Sequence, residues 1–96
     1  MIAFKQLILL GDVGADVLAV KHTLRRMAIK GNEKMRMNNT AGRAFVATLR
    51  NAQAQGHITV DGKYGPDTHA VIARHFTPDD EALYRSAETG QAVRLS

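Results

Sequence analysis

The side chains that could carry reaction chemistry in this chain are His22, His57, His69 and His75, together with the carboxylates Glu33, Asp61, Asp67, Glu81 and Glu88. A helical zinc site needs two histidines four residues apart on one face, with a third ligand nearby. No His-Glu-x-x-His run is present, and His69 and His75, six apart, fall on different faces of a helix. Glycoside hydrolysis needs two carboxylates held across one bond, and the spacing fixes no partner for Glu33. The chain has no cysteine, which removes thiolate nucleophiles and disulfides. These patterns assign the histidines to the surface and predict no catalytic residue, no metal and no cofactor.

Binding chemistry is better represented. Arg43 and Lys63, with Lys34 and Arg36 nearby, are either solvated or partners for carboxylates, and Gln53 can bond peptide groups. Asp61 is of the right type to accept amide hydrogens from its own loop. The Tyr64 ring either covers the core or stacks on a sugar face.

The stretch that positions these groups is Val60-Asp61-Gly62-Lys63-Tyr64-Gly65-Pro66-Asp67-Thr68. Asp61-Gly62 is a tight-turn pair. Gly65 reads as an N-cap and Pro66 as the first residue of a helix, with Asp67 beside the unpaired first-turn amides. A side chain at position 65 is therefore expected to crowd the helix start.

Upstream, Leu7 to Leu10 predict an extended or single-turn segment that packs on the core before Gly11-Asp12-Val13-Gly14 turns the chain. Val17, Val20, Leu24 and Met27 recur at helical spacing and predict a first helix over residues 15–29, stopped by Gly31. Residues 31–41 read as a polar connecting loop. Asn39-Thr40 can cap a second helix that runs to about Gln55, with Phe45, Leu49 and Ala52 on one face and Gly56 at its stop. The third helix is expected over residues 66–76. Thr77-Pro78-Asp79-Asp80-Glu81 then starts a short fourth helix reaching about Ala87, with residues 89–96 as a tail or the beginning of a linker.

Ninety-six residues, 45% hydrophobic and 23% charged, describe one small domain, assigned to residues 1–88. A core of this size supports a deep, strained active-site cleft poorly. The formal charge of +4 favours acidic partners: nucleic acid, anionic lipid, or the carboxylates and phosphates of a bacterial wall. The apolar N-terminal run is too short to span a membrane, and no signal peptide is evident.

Gly42 near the second helix start and Gly65 at the third are each followed at the same distance by Thr48-Leu49 and Val71-Ile72, an imperfect internal repeat. On these residues the chain resembles the peptidoglycan-binding domain family, a small helical module of two half-repeats attached to bacterial or phage wall hydrolases. The resemblance spans about residues 8–76. It rests on Ile8-Leu9-Leu10-Gly11-Asp12-Val13-Gly14-Ala15-Asp16-Val17, on Ala52-Gln53 in place of a Phe-Gln pair, and above all on Asp61, Gly62, Tyr64, Gly65, Pro66 and Thr68. Val20-Lys21 stands where Leu-Gln is usual, and Asn38-Asn39 replaces Asp-Gly in the first half.

The resemblance implies an all-α fold, three main helices on two half-repeats with a short fourth helix. It also implies non-catalytic binding of bacterial cell-wall peptidoglycan, targeting a linked lytic enzyme such as an endolysin or autolysin. The binding candidates are Arg43, Gln53, Asp61, Lys63 and Tyr64; the partners are peptidoglycan and the linked catalytic domain, with no membrane, and the place of action is the cell wall. The alternative is a small basic helical nucleic-acid-binding module, since Gln55-Gly56 between two helices suits a helix-turn-helix. Asp67 at the start of the reading helix, with Arg74 its one fixed positive charge, opposes that alternative.

Overall fold

A computed structural model describes residues 1–87, so the expected tail at 89–96 lies outside the described residues. The fold is all-helical: α1 (Ala15–Arg26), α2 (Arg43–Gln55), α3 (Pro66–Ile72) and α4 (Pro78–Ser86), with short 3₁₀ turns at Asn32–Lys34 and Ala73–His75. The predicted all-α bundle is what forms. Ile8, Val17, Val20, Leu24, Ile29, Phe45, Leu49 and Ile72 make the core.

The N-terminal segment ties the two half-repeats together. Ile8 forms an antiparallel bridge with Tyr64, and Val13 forms another with Thr40. Between them, Ala41 receives the Gly11 amide at 2.8 Å and donates its own to the Asp12 carbonyl at 2.8 Å. Ile8 is buried as expected, while Leu7 and Leu10 on either side of it remain exposed.

This pairing moves the start of α2. Residues 39–41 are held extended against the N-terminal segment, so neither Asn39 nor Thr40 caps the helix, and Gly42 is its N-cap. The Asn38 side chain instead accepts the Thr40 amide at 3.1 Å.

Helix α1 also departs from expectation, ending at Arg26 rather than near Ile29. Ala28 takes the left-handed conformation, φ 55°, and the amides of Ala28 and Ile29 reach back to the carbonyls of Arg25 and Leu24 at 3.0 and 3.2 Å. This is a Schellman ending with alanine where glycine is usual. A left-handed alanine costs about 1–2 kcal/mol. Burying the next side chain, Ile29, contributes about 1.5–3 kcal/mol, enough to offset it. Helix α2 ends the same way one residue past its glycine: His57 has φ 58°, and Ile58 reaches back to Gln53 at 3.1 Å. Gly31 serves a different turn, the start of the first 3₁₀ segment.

The third helix is split. After Ile72 the chain tightens into the 3₁₀ turn, and Phe76 is extended, its ring packed against His69 and Tyr84. Packing of Phe76 overrides local helix preference there. Thr77 then caps α4 with the expected reciprocal box: its hydroxyl accepts the Asp80 amide at 3.1 Å, and Asp80 accepts the Thr77 amide at 2.9 Å. Helix α4 packs along α1, where the Asp80 carboxylate forms an ion pair with Arg26 and receives the Thr23 hydroxyl. Lys5 closes the other end of α4, its ammonium donating to the carbonyls of Tyr84, Arg85 and Ala87.

One histidine contradicts the surface assignment. His22, His57 and His75 are exposed, but His69 is 3% exposed, inside a ring cluster with Phe4, Tyr64, Phe76 and Tyr84. The apolar helix faces gave no signal for it, because its polarity is matched by partners elsewhere in the chain.

Candidate functional site

Gln53 reaches from α2 into the loop before α3. Its amide nitrogen lies 2.9 Å from Asp61 Oδ1, the Lys63 carbonyl oxygen and Thr68 Oγ1. Its amide oxygen accepts the Asp61 and Gly62 amides at 3.1 and 2.9 Å. The side chain is 1% exposed, so its donors and acceptors are spent inside the protein. Asp61 completes the loop by accepting the Lys63 amide at 2.9 Å. That bond, assisted by Gln53 and the Lys63 charge, outweighs desolvation and holds the Asp61 carboxyl below its ordinary range.

Tyr64 is fully buried, with its hydroxyl on His69, so its ring covers the core and has no face open to a sugar. Of the five candidate residues, Arg43, Asp61 and Lys63 are exposed, whereas Gln53 and Tyr64 present no surface to a ligand.

The exposed three do not converge. Arg43 lines a cleft of about 280 Å³ at the start of α2, and Asp61 and Lys63 line another of about 310 Å³ at the start of α3. The two clefts are copies of one another. Arg36, Asn38 and Thr40 in the first correspond, twenty-three residues on, to Thr59, Asp61 and Lys63 in the second; Gly42, Arg43, Ala44 and Phe45 correspond to Gly65, Pro66, Asp67 and Thr68. The imperfect repeat is thus a repeat of two surface clefts, each opening beside a glycine N-cap without a side-chain cap.

Their chemistry differs. The second cleft carries the carboxylates of Asp61 and Asp67 and one lysine, with Leu7 completing the wall. The first is lined by Lys21, Lys34, Arg36 and Arg43 and by no carboxylate. It also opens at the positive end of a 13-residue helix.

Lys21 is the residue that spacing did not single out as a binding group. It projects from α1 and is 2% exposed, its ammonium donating to the Arg36 carbonyl at 2.7 Å and to Asn38 Oδ1 at 2.8 Å. Lys21 and Asn38 thus stand to the first cleft as Gln53 and Asp61 stand to the second, a neutral–acid pair replaced by a cation–neutral pair. Among the described residues no carboxylate pairs with Lys21. Burial pushes its ammonium below the ordinary lysine range. The signal for it was the lysine at position 21 where the resemblance places glutamine.

No group of three metal-ligating side chains occurs among the described residues, and no helix there is long and apolar enough to cross a membrane. Comparison with protein-family models, with curated proteins and with solved structures finds no match to the chain.

Proposed function

We propose that this chain is a non-catalytic module that binds bacterial cell-wall peptidoglycan and so holds a linked lytic enzyme, an endolysin or autolysin, at its substrate. The observation that carries the reading is the carboxylate-free basic cleft at the start of α2, a surface matched to the carboxylates of wall stem peptides. The Asp61-to-Thr68 stretch supports it, since the loop it builds is the one on which the resemblance to wall-binding modules rests.

The aromatic residues refine the mode of recognition. Phe45, Tyr64 and Tyr84 are buried, and Phe4 and Phe76 are half-buried in the ring cluster. Binding therefore runs through charge and hydrogen bonds rather than ring stacking on sugars. Stacking on single-stranded bases lacks a platform for the same reason, and α3 is seven residues long with Asp67 in its first turn, features that favour the wall over nucleic acid. Weak contacts suffice for the task, because a repeating polymer raises the effective concentration of a tethered enzyme.

Sedimentation with purified peptidoglycan at low salt, with duplex DNA as competitor, tests the reading. The chain should pellet with the wall, resist competition by DNA, and release no soluble fragments from labelled peptidoglycan. Tight DNA binding without wall binding would replace this reading with the nucleic-acid one.

A further inference from the structure

We propose that the cleft at the start of α2 is a carboxylate site that reads a free stem-peptide carboxylate, and that Lys21 is the residue that makes it selective for that charged group over its amide. The choice of stem peptide rests on the wall-binding reading above; the charge of the ligand follows from the cleft.

Three features meet there, with Lys21 belonging to two of them. Four cations line the cleft without a carboxylate among them. Arg43, Ala44 and Phe45 of the first turn of α2, which has no side-chain cap, line the same opening, where a helix of this length favours negative charge. Lys21, almost wholly buried, spends two of its three hydrogens on neutral oxygens and has no counter-charge among the described residues. A buried cation without an anion is unfavourable, and a ligand carboxylate would relieve it.

The other cleft supplies an internal comparison. At its corresponding place Gln53 bonds Asp61, the loop is electrically closed, and Asp67 lies in the first turn of its helix. Replacing Gln by Lys and Asp by Asn keeps a helix side chain donating to the loop side chain in both halves. The net change is to add a positive charge and remove a negative one. The first cleft is thereby left with positive charge that no carboxylate of its lining offsets, and that is what an entering ligand meets.

Selectivity follows from charge. A carboxylate gains charge-assisted hydrogen bonds from Arg43 and from the Lys21 side of the cleft, whereas the carboxamide of an amidated stem peptide offers one neutral acceptor and brings two donors into a wall of donors. Lys21→Gln removes the charge, retains a donor for Asn38, and should weaken binding of the free acid about tenfold. Arg43→Gln, at an exposed position, should weaken it as well without touching the buried contacts.

The experiment titrates the full chain, in phosphate-free buffer, with a synthetic stem tetrapeptide ending in a free carboxylate, with the same peptide amidated, and with inorganic phosphate. It follows the backbone amides of Arg43, Ala44 and Phe45 by NMR, beside sedimentation with purified peptidoglycan. Arg74→Gln, exposed and outside both clefts, serves as control. The free acid should move these amides, the amidated peptide should not, Lys21→Gln and Arg43→Gln should each need more acid to give the same response, about tenfold more for Lys21→Gln, and the control should keep it. Equal responses to acid and amide, or an unaltered response in Lys21→Gln, overturn the proposal. Sedimentation with the wall while the cleft amides stay unmoved by the acid overturns it too, leaving the wall reading in place. A response to phosphate alone makes this a phosphate site instead. Absence of both wall binding and peptide response removes both readings.

Discussion

The Tyr64 hydroxyl lies 2.7 Å from Nδ1 of His69, and Nε2 of the same ring lies 2.7 Å from the carbonyl oxygen of Ile2. A carbonyl can only accept, so the ring hydrogen sits on Nε2 and Tyr64 donates to Nδ1. Burial, with smaller contributions from Tyr84 and Asp16, pushes the Tyr64 phenol far above its ordinary range and keeps it a donor. Tyr64→Phe removes the one donor to a buried nitrogen and should lower stability by about 1–3 kcal/mol. Urea unfolding measures it; an unchanged midpoint would mean that the ring nitrogen finds another partner.

Of the two glycines that flank Tyr64, Gly62 resists replacement more than Gly65. Gly62 has φ 72°, and a Cβ there would stand 2.8 Å from Val46 and 2.9 Å from Arg50 Nε. At Gly65 the nearest atom to such a Cβ is Leu7 Cδ1 at 3.5 Å, ordinary contact, so the crowding expected from sequence is absent. Gly62→Ala should therefore cost about 1–3 kcal/mol, and Gly65→Ala well under 1 kcal/mol. Thermal unfolding of the two variants side by side checks the order.

Acid should loosen the packing of α4. Burial acts to raise the Asp80 carboxyl, but the hydrogen bond from Arg26, then the amide of Thr77, outweigh it and hold it below its ordinary range. A depressed carboxylate contributes stability above the unfolded-state value, and that contribution is lost as pH falls through the folded one. Asp80→Asn should be less stable than the parent at neutral pH, the gap narrowing below about pH 4. A gap that stays constant from pH 7 to pH 2 would assign the cost to packing rather than charge.

Lys21 gives a slope of the same sign at the alkaline end of the range. Its folded-state value is lowered by burial, so between that value and the ordinary lysine range the unfolded chain holds more protons and folding is favoured as pH rises. The stability difference between the parent and Lys21→Gln should move in the parent's favour on going from neutral to alkaline pH. Comparing the two cancels the contributions of Tyr64 and Tyr84. A carboxylate ligand should flatten the slope by returning the ammonium to its ordinary range.

Much of the fold was legible because local signals agreed with tertiary ones. Pro66 after Gly65 starts α3, and Thr77 with Asp80 builds the box that starts α4. The readings that failed did so where distant residues decide local shape. Residues 39–41 are extended because Gly11, Asp12 and Gly14 bond them, and Ala28 is left-handed because Ile29 is drawn into the core. At the candidate site, Arg43 and Lys63 were legible as exposed charges, but spacing could not show that they lie in separate copies of one cleft. Gln53 read as a ligand donor because an amide looks the same in sequence whether its partners are a loop or a guest.

The repeat does not make the halves independent. Ile8 pairs with the second half, Asp12 with the first, and Lys5 with the carbonyls at the end of α4, joining positions 79 to 82 residues apart. The segment that both require lies outside the repeat, at the N-terminus, and the second half is cut off from it by cleavage after α2. Loop closure over nearly the whole chain must precede these contacts, so folding should be one all-or-none event, slower than helix content alone would suggest. Cleaved between α2 and α3, the chain should give two fragments that are unstructured apart and become helical on mixing.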